Sequence, residues 1–204
     1  MTATNRVTPF GEVTAIEQRG LFMGNRGSIH RGREIVRPWQ VRRWITCELE
    51  HNGWIAPKWE PGRWTPLFFW DEAVALAAGH RPCSLCRHAD FVRWVDAWHV
   101  ATGERLRVDP MDAQLHADRV TATREQRHHQ LRWADVPEGA FVQVSDGAAL
   151  VLDDRLVPWR PRRDGYGEPV PRPSGGTADV LTPRSTVAVL EHGYVPVLHP
   201  AARS

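Results

Sequence analysis

Lysine is almost missing from this chain of 204 residues: among 26 basic residues only Lys58 is not arginine. Any cationic surface is therefore built from guanidinium groups, a bias that suits forked recognition of phosphate and equally suits a GC-rich coding sequence. Cysteine is scarce as well, and three of them cannot all pair, which excludes a disulfide-held scaffold. No apolar run approaches the ~20 residues that a membrane helix needs. Residues 1–6 lack the basic start and apolar stretch of a signal peptide, so the expected location is cytoplasmic, with no membrane partner. There is no nucleophile elbow, no phosphate loop and no H-E-x-x-H, and no internal repeat or low-complexity tail.

What is present is ordinary enough to fold. A hydrophobic fraction of 42% and a charged fraction of 25% exclude wholesale disorder despite 16 prolines and 16 glycines. The length allows a sizeable core. An α+β architecture is expected, with a small zinc-binding domain over 1–104, a helical connector over 105–136 and a small β-rich domain over 137–204 that ends in a helix.

Short β-branched and aromatic runs predict extended chain over 7–17 and 34–50, with Cys47 near a strand end. The Gly- and Arg-rich stretch 20–32 reads as a loop. A helix is predicted over 71–78, with Asp71 as N-cap, Glu72 in the positive first turn and Gly79 as the left-handed terminator. Pro82 blocks its continuation, and a second helix is predicted from about Cys83 to Val100 with Phe91, Val92, Val95 and Trp98 on its apolar face. Residues 110–133 are polar and read as a helical connector. Strands over 140–144 and 149–157 flank the hairpin signal Asp146-Gly147, and 158–176 reads as a long surface loop. Thr182-Pro183 predicts an N-cap and first-turn proline for a helix closed by Gly193, followed by a last strand over 195–198.

The chemistry concentrates on Cys83-Ser84-Leu85-Cys86. Two thiolates at this spacing reach one tetrahedral ion from a single turn, and a helix start there favours the ionised form. No strand immediately precedes the motif in a βαβ pattern, which argues against a thioredoxin-like reading. Cys47 supplies a third thiolate. For the fourth position His30, in the flexible Gly27-Ser28-Ile29-His30 segment, competes with His51, four residues beyond Cys47, and with water. His80 reads as an outer or packing residue rather than a ligand.

The stretch Phe68-Phe69-Trp70-Asp71-Glu72-Ala73-Val74-Ala75-Leu76-Ala77-Ala78-Gly79-His80-Arg81-Pro82-Cys83-Ser84-Leu85-Cys86-Arg87 resembles the second half of the amino-terminal zinc domain of Ada-type DNA-repair methyltransferases. That family keeps a double aromatic, an alanine-rich helix and G-F-R-P-C-x-x-C-R in the same order. The resemblance covers about residues 27–90. It implies zinc as cofactor, DNA as partner, and a strand-end cysteine that accepts a methyl group from a methylated DNA phosphate as a zinc thiolate. The upstream half departs from the family. Either Gly27-Ser28-Ile29-His30 aligns with the family's G-I-x-C, so that an imidazole replaces the acceptor, or Cys47 and His51 match the first two cysteines by spacing. Neither a helix-turn-helix nor a Pro-Cys-His-Arg motif follows.

Between residues 19 and 43 there are seven arginines against the single acid Glu34. Of these Arg26, Arg31, Arg33, Arg42 and Arg43 are the candidate nucleic-acid contacts. Trp39, Trp44, Trp54, Trp59, Trp64 and Trp70 lie beside them, suited to base stacking but first of all to core packing. Asp164-Gly165-Tyr166-Gly167 and Tyr194 are candidates to line a pocket in the second half. A zinc protein engaging nucleic acid is the leading expectation. A zinc enzyme with an open coordination position and a purely structural zinc are the alternatives.

Overall fold

The structure, a computed structural model, describes residues 3–203 apart from 18, 57–58 and 162–164; Asp164 therefore lies outside the described residues. The first half holds strands β1 (Arg6–Val7), β2 (Val13–Thr14), β3 (Phe22–Asn25), β4 (His30–Arg31), β5 (Glu34–Ile35), β6 (Ile45–Cys47), β7 (Glu50–His51), β8 (Trp54–Ile55) and β9 (Leu67–Phe69). Helix α1 (Glu72–Ala77), strand β10 (Arg81–Pro82) and helices α2 (His88–Thr102) and α3 (Val108–Arg119) follow. The second half adds β11 (His129–Arg132), β12 (Phe141–Val144), β13 (Gly147–Leu152), β14 (Arg155–Arg160), β15 (Gly165–Tyr166), β16 (Val170–Pro171), β17 (Thr177–Val180) and α4 (Arg184–Glu191). The expected α+β class, with a C-terminal helix, is what the chain forms.

Two sheets organise it. The first runs β10-β6-β3-β9-β1-β2, and the second runs β11-β17-β12-β13-β14-β15 with β16 beside β14. Alternation along β13 explains how the second sheet is used: Leu150 and Leu152 join Phe141, Ala73 and Val74 on one face, while Ala149 and Val151 join Trp94, Trp98 and Met111 on the other. The sheet is buried on both sides. Its apolar clusters draw on residues before 104 and after 137 alike, so the three expected segments share their core.

Several elements differ from expectation for identifiable reasons. The stretch 20–32 contains β3, a central strand, because its glycines permit close strand approach: a Cβ on Gly24 would fall 2.0 Å from the Ile45 carbonyl oxygen. The CxxC directly follows β10, a strand not expected there, and forms the turn before α2, which starts only at His88; the buried residues of α2 are Trp94, Ala97 and Trp98, while Val92 is exposed. Helix α3 is more than a connector, since Met111 and Leu115 are fully buried. The expected 149–157 strand is broken by a second hairpin in which Leu152 pairs with Arg155, and the first turns one residue early, with Val144 opposite Gly147. Thr182 does not cap α4; its hydroxyl accepts from the Phe141 amide instead. Residues 195–198 form no strand, yet Val197 is fastened at both backbone groups to Glu72.

Asp71 and Gly79 behave as read. The Asp71 carboxylate accepts from the Val74 amide at 3.0 Å, and Gly79 has φ +80°. What the sequence did not show is the reach of the two acids at this helix start. Asp71 also accepts from the Tyr166 hydroxyl at 2.7 Å and the His199 amide at 3.1 Å. Glu72 accepts from the Tyr194 hydroxyl at 2.6 Å and pairs with Arg87 at 2.9 Å. Tyr166 and Tyr194 are thus buried fasteners rather than pocket walls.

Candidate metal centre

Strand β6 lies between β3, antiparallel, and β10, parallel. The Cys83 amide donates to the Thr46 carbonyl at 2.8 Å, so the chain leaving β10 is still laddered to β6 and delivers Cys83 beside Cys47. The Arg87 amide then closes the turn onto the Cys83 carbonyl at 3.2 Å and brings Cys86 back to the same point. All three Sγ atoms lie within 4.8 Å of one another. Four ligands at Zn–S distances of about 2.3 Å stand about 3.8 Å apart around a tetrahedral ion, so this set can close on a metal without backbone rearrangement.

The local chemistry favours charge on one sulfur of the three. Cys83 is held far below the ordinary thiol range by hydrogen bonds from the Cys47 and Cys86 thiols and from the Leu85 and Cys86 amides. Cys47 is pushed up, mainly by its hydrogen bonds with Cys83 and Cys86 and by burial. Three thiols this close cannot all ionise unless a cation shares the site. Cys47 and Cys83 are buried and Cys86 is half-buried, so the centre opens on the Cys86 side.

The histidines expected to complete the set are elsewhere. His30 pairs across a hairpin with Ile35, and its Nδ1 is 2.6 Å from the Thr65 hydroxyl. His51 sits in the β7–β8 hairpin, its Nε2 3.3 Å from the Asn52 amide nitrogen. His80 is buried and accepts at Nε2 from the Arg26 guanidinium at 3.3 Å, the packing role expected of it. Among the described residues no histidine or carboxylate brings a ligand atom into the cysteine cluster, which therefore offers a metal three ligand atoms.

A groove of about 470 Å³ adjoins the centre. Met23, Ala56 and Phe68 belong both to its wall and to the apolar cluster around the cysteines, and Arg6, Arg19 and Ile55 complete its rim. Leu85, within the CxxC, is 74% exposed, and Ile55 and Trp54 on the β7–β8 hairpin are 63% and 48% exposed. The lip of the site is thus apolar, and the groove rim carries Arg6 and Arg19 with Glu50.

Of the candidate nucleic-acid contacts, Arg31, Arg33 and Arg42 are exposed. Arg43 is exposed and faces Asp109 at 3.6 Å and Asp112 at 3.8 Å. Arg26 corrects the expectation, because at 3% exposure it is an interior residue and not part of the exposed basic surface. Arg87 was not foreseen. Its buried guanidinium bridges the Thr46 hydroxyl, Asp90 and Glu72, and so ties the turn that carries Cys86 to strand β6 and to α1. Only its place directly after the CxxC could have signalled that role.

No family model, curated protein or solved structure matches this chain.

Proposed function

We propose that the three cysteines bind zinc and that the domain around them engages nucleic acid, as the resemblance to the Ada-type zinc domain implies. The observation that supports it is the convergence of a strand-end cysteine with a CxxC turned into a helix start. Cys47 then corresponds to the family's strand-end cysteine, and the alignment through His30 is set aside because His30 is engaged with Thr65. Zinc would hold Cys47, Cys83 and Cys86 as thiolates and set their nucleophilicity. Arg31, Arg33, Arg42 and Arg43 are the groups that meet phosphate.

Two measurements test this reading. Metal analysis of the purified protein is expected to give one zinc per chain, lost in Cys83→Ser. Fluorescence anisotropy with duplex and single-stranded DNA is expected to show binding that weakens with salt, the logarithmic slope falling by about 0.9 for each phosphate contact removed. No binding even at low ionic strength overturns the nucleic-acid part and leaves the metal part standing.

A second reading, a zinc enzyme acting on a small molecule, is favoured by the three-ligand set and the adjoining groove. Cobalt substitution separates the two. A ligand-field spectrum that shifts on adding imidazole marks an exchangeable fourth position and favours chemistry at the metal. An unresponsive spectrum marks a closed site and removes this reading.

A further inference from the structure

A buried guanidinium without a carboxylate is costly, and this protein has two of them side by side. Arg26 is 3% and Arg119 is 1% exposed, and neither has a carboxylate within ion-pair distance among the described residues. Arg26 gives Nε to His80 and Nη1 to the Gly11 carbonyl at 2.9 Å, while Nη2 has no partner. Arg119 gives Nη1 to the Gly79 carbonyl at 2.6 Å and Nη2 to the Arg42 carbonyl and His116, while Nε has no partner. The nearest interior acid, Asp112, is engaged by Arg81 through two bonds of 2.8 Å.

Both guanidiniums stand over Trp44, at 4.1 Å and 4.0 Å from the ring centroid. The indole offsets part of the cost of burying them. Enough remains that burial pulls the Arg26 guanidinium down to about 9 and Arg119 well below its ordinary value. Asp112 is the one negative group that acts on Arg119, and it is already engaged by Arg81; His80 and His116 are both held neutral, chiefly by burial.

The two arginines and Trp44 form part of the wall of a cavity of about 300 Å³. Its opening carries Trp39, Gln126 and Arg124, the last with its guanidinium 5.2 Å from the Trp39 ring. Gln126 donates to three backbone carbonyls and keeps a buried, unpartnered Oε1. Glu12 and Glu125 also line this cavity; both are exposed, and the Glu125 carboxylate accepts from the Thr123 hydroxyl at 3.0 Å.

We propose that this cavity is a binding site for a small phosphate-bearing ligand, whose oxyanion is received by Arg26 and Arg119 with Arg124 at the entrance. The oxyanion supplies the counter-charge that the two guanidiniums lack, each guanidinium keeps one buried N–H without a partner, and forked donors suit phosphate oxygens. Trp39 and Phe10 offer apolar cover to whatever the phosphate is attached to. The site is separate from the cysteine centre and does not depend on the identity of its metal.

The test uses the full-length, metal-loaded protein and its tryptophan emission, titrated with inorganic phosphate, with 5′-AMP and with a short oligonucleotide, chloride at equal ionic strength serving as control. Saturable quenching by phosphate or 5′-AMP is expected, with affinity weakened roughly tenfold in Arg124→Ala, whose exposed side chain can be removed without touching the core. Arg26→Gln and Arg119→Gln are expected to abolish it, and Trp44→Phe to keep binding while reducing the signal. Should either glutamine variant fail to fold, Arg124→Ala still decides. The proposal is overturned by a response to phosphate and 5′-AMP no different from chloride, by unchanged affinity in Arg124→Ala, or by binding of the oligonucleotide alone, which would assign the cavity to a nucleic-acid surface.

Discussion

The two larger sheets of this protein are stabilised by different means. Strands of the first are two to four residues long, and Trp44, Cys47, His80, Arg81 and Cys83, in or directly beside them, are buried. Strands of the second reach six residues, are joined by tight hairpins, and bury apolar side chains on both faces. The first sheet thus adds to its share of the apolar core, Val7, Phe22, Leu67 and Phe69, a cluster of three cysteines that could hold a metal and several buried charges. The second is held by hydrophobic packing that needs no ligand.

Metal removal should separate them most sharply. Structural zinc supplies roughly 10 kcal/mol or more to small metal-held folds, so chelation is expected to strip amide exchange protection from β3, β6 and β10 and leave it on β12 and β13. Equal loss in both sheets would end the comparison. Next in size is Glu72→Ala at the seam, which leaves Arg87 and Tyr194 buried without their acceptor and is expected to cost about 3–5 kcal/mol in denaturant unfolding. Leu150→Ala, inside the apolar sheet, is expected to cost about 2–5 kcal/mol and to leave metal content unchanged.

Acid sharpens the comparison further. His116 and His129 are both held down at about 4, mainly by burial, so the unfolded chain takes up protons near 6.5 that the folded chain refuses. A lowered histidine value contributes stability that is present above 6.5 and lost as pH falls from there towards 4. Calorimetry should show the melting midpoint dropping across that window, with a shallower slope in His116→Gln/His129→Gln. The smallest effect belongs to the surface: Arg31→Ala with Arg33→Ala is expected to change stability by no more than about 0.5 kcal/mol while weakening any DNA binding.

What could be read from the chain in advance was local. The Asp71 cap, the Gly79 terminator and the CxxC turn each declare themselves within a few residues, and Cys47 could be placed at a strand end from its β-branched neighbours. Distant pairings could not be read. Asp71 meets Tyr166 across 95 positions and Glu72 meets Tyr194 across 122, and no short pattern encodes either. The missed strand β3 failed for a different reason, since glycine that permits a close strand contact looks the same in sequence as glycine that permits a loop. Arg26 and Arg119 look like any other arginine until the fold encloses them.

Strands β6 and β10 run parallel through only two paired positions, with Trp44 and His80 just before the pairing, their rings 5.2 Å apart, and Cys47 and Cys83 just after it. Side chains alternate along a strand, so one inserted or deleted residue in either would reverse the direction of everything beyond it. The intervals Trp44-x-x-Cys47 and His80-x-x-Cys83 are therefore locked to each other. In descendants of this chain the two spacings should be inherited as a single unit, tolerant of substitution between the fixed points and intolerant of any change in length.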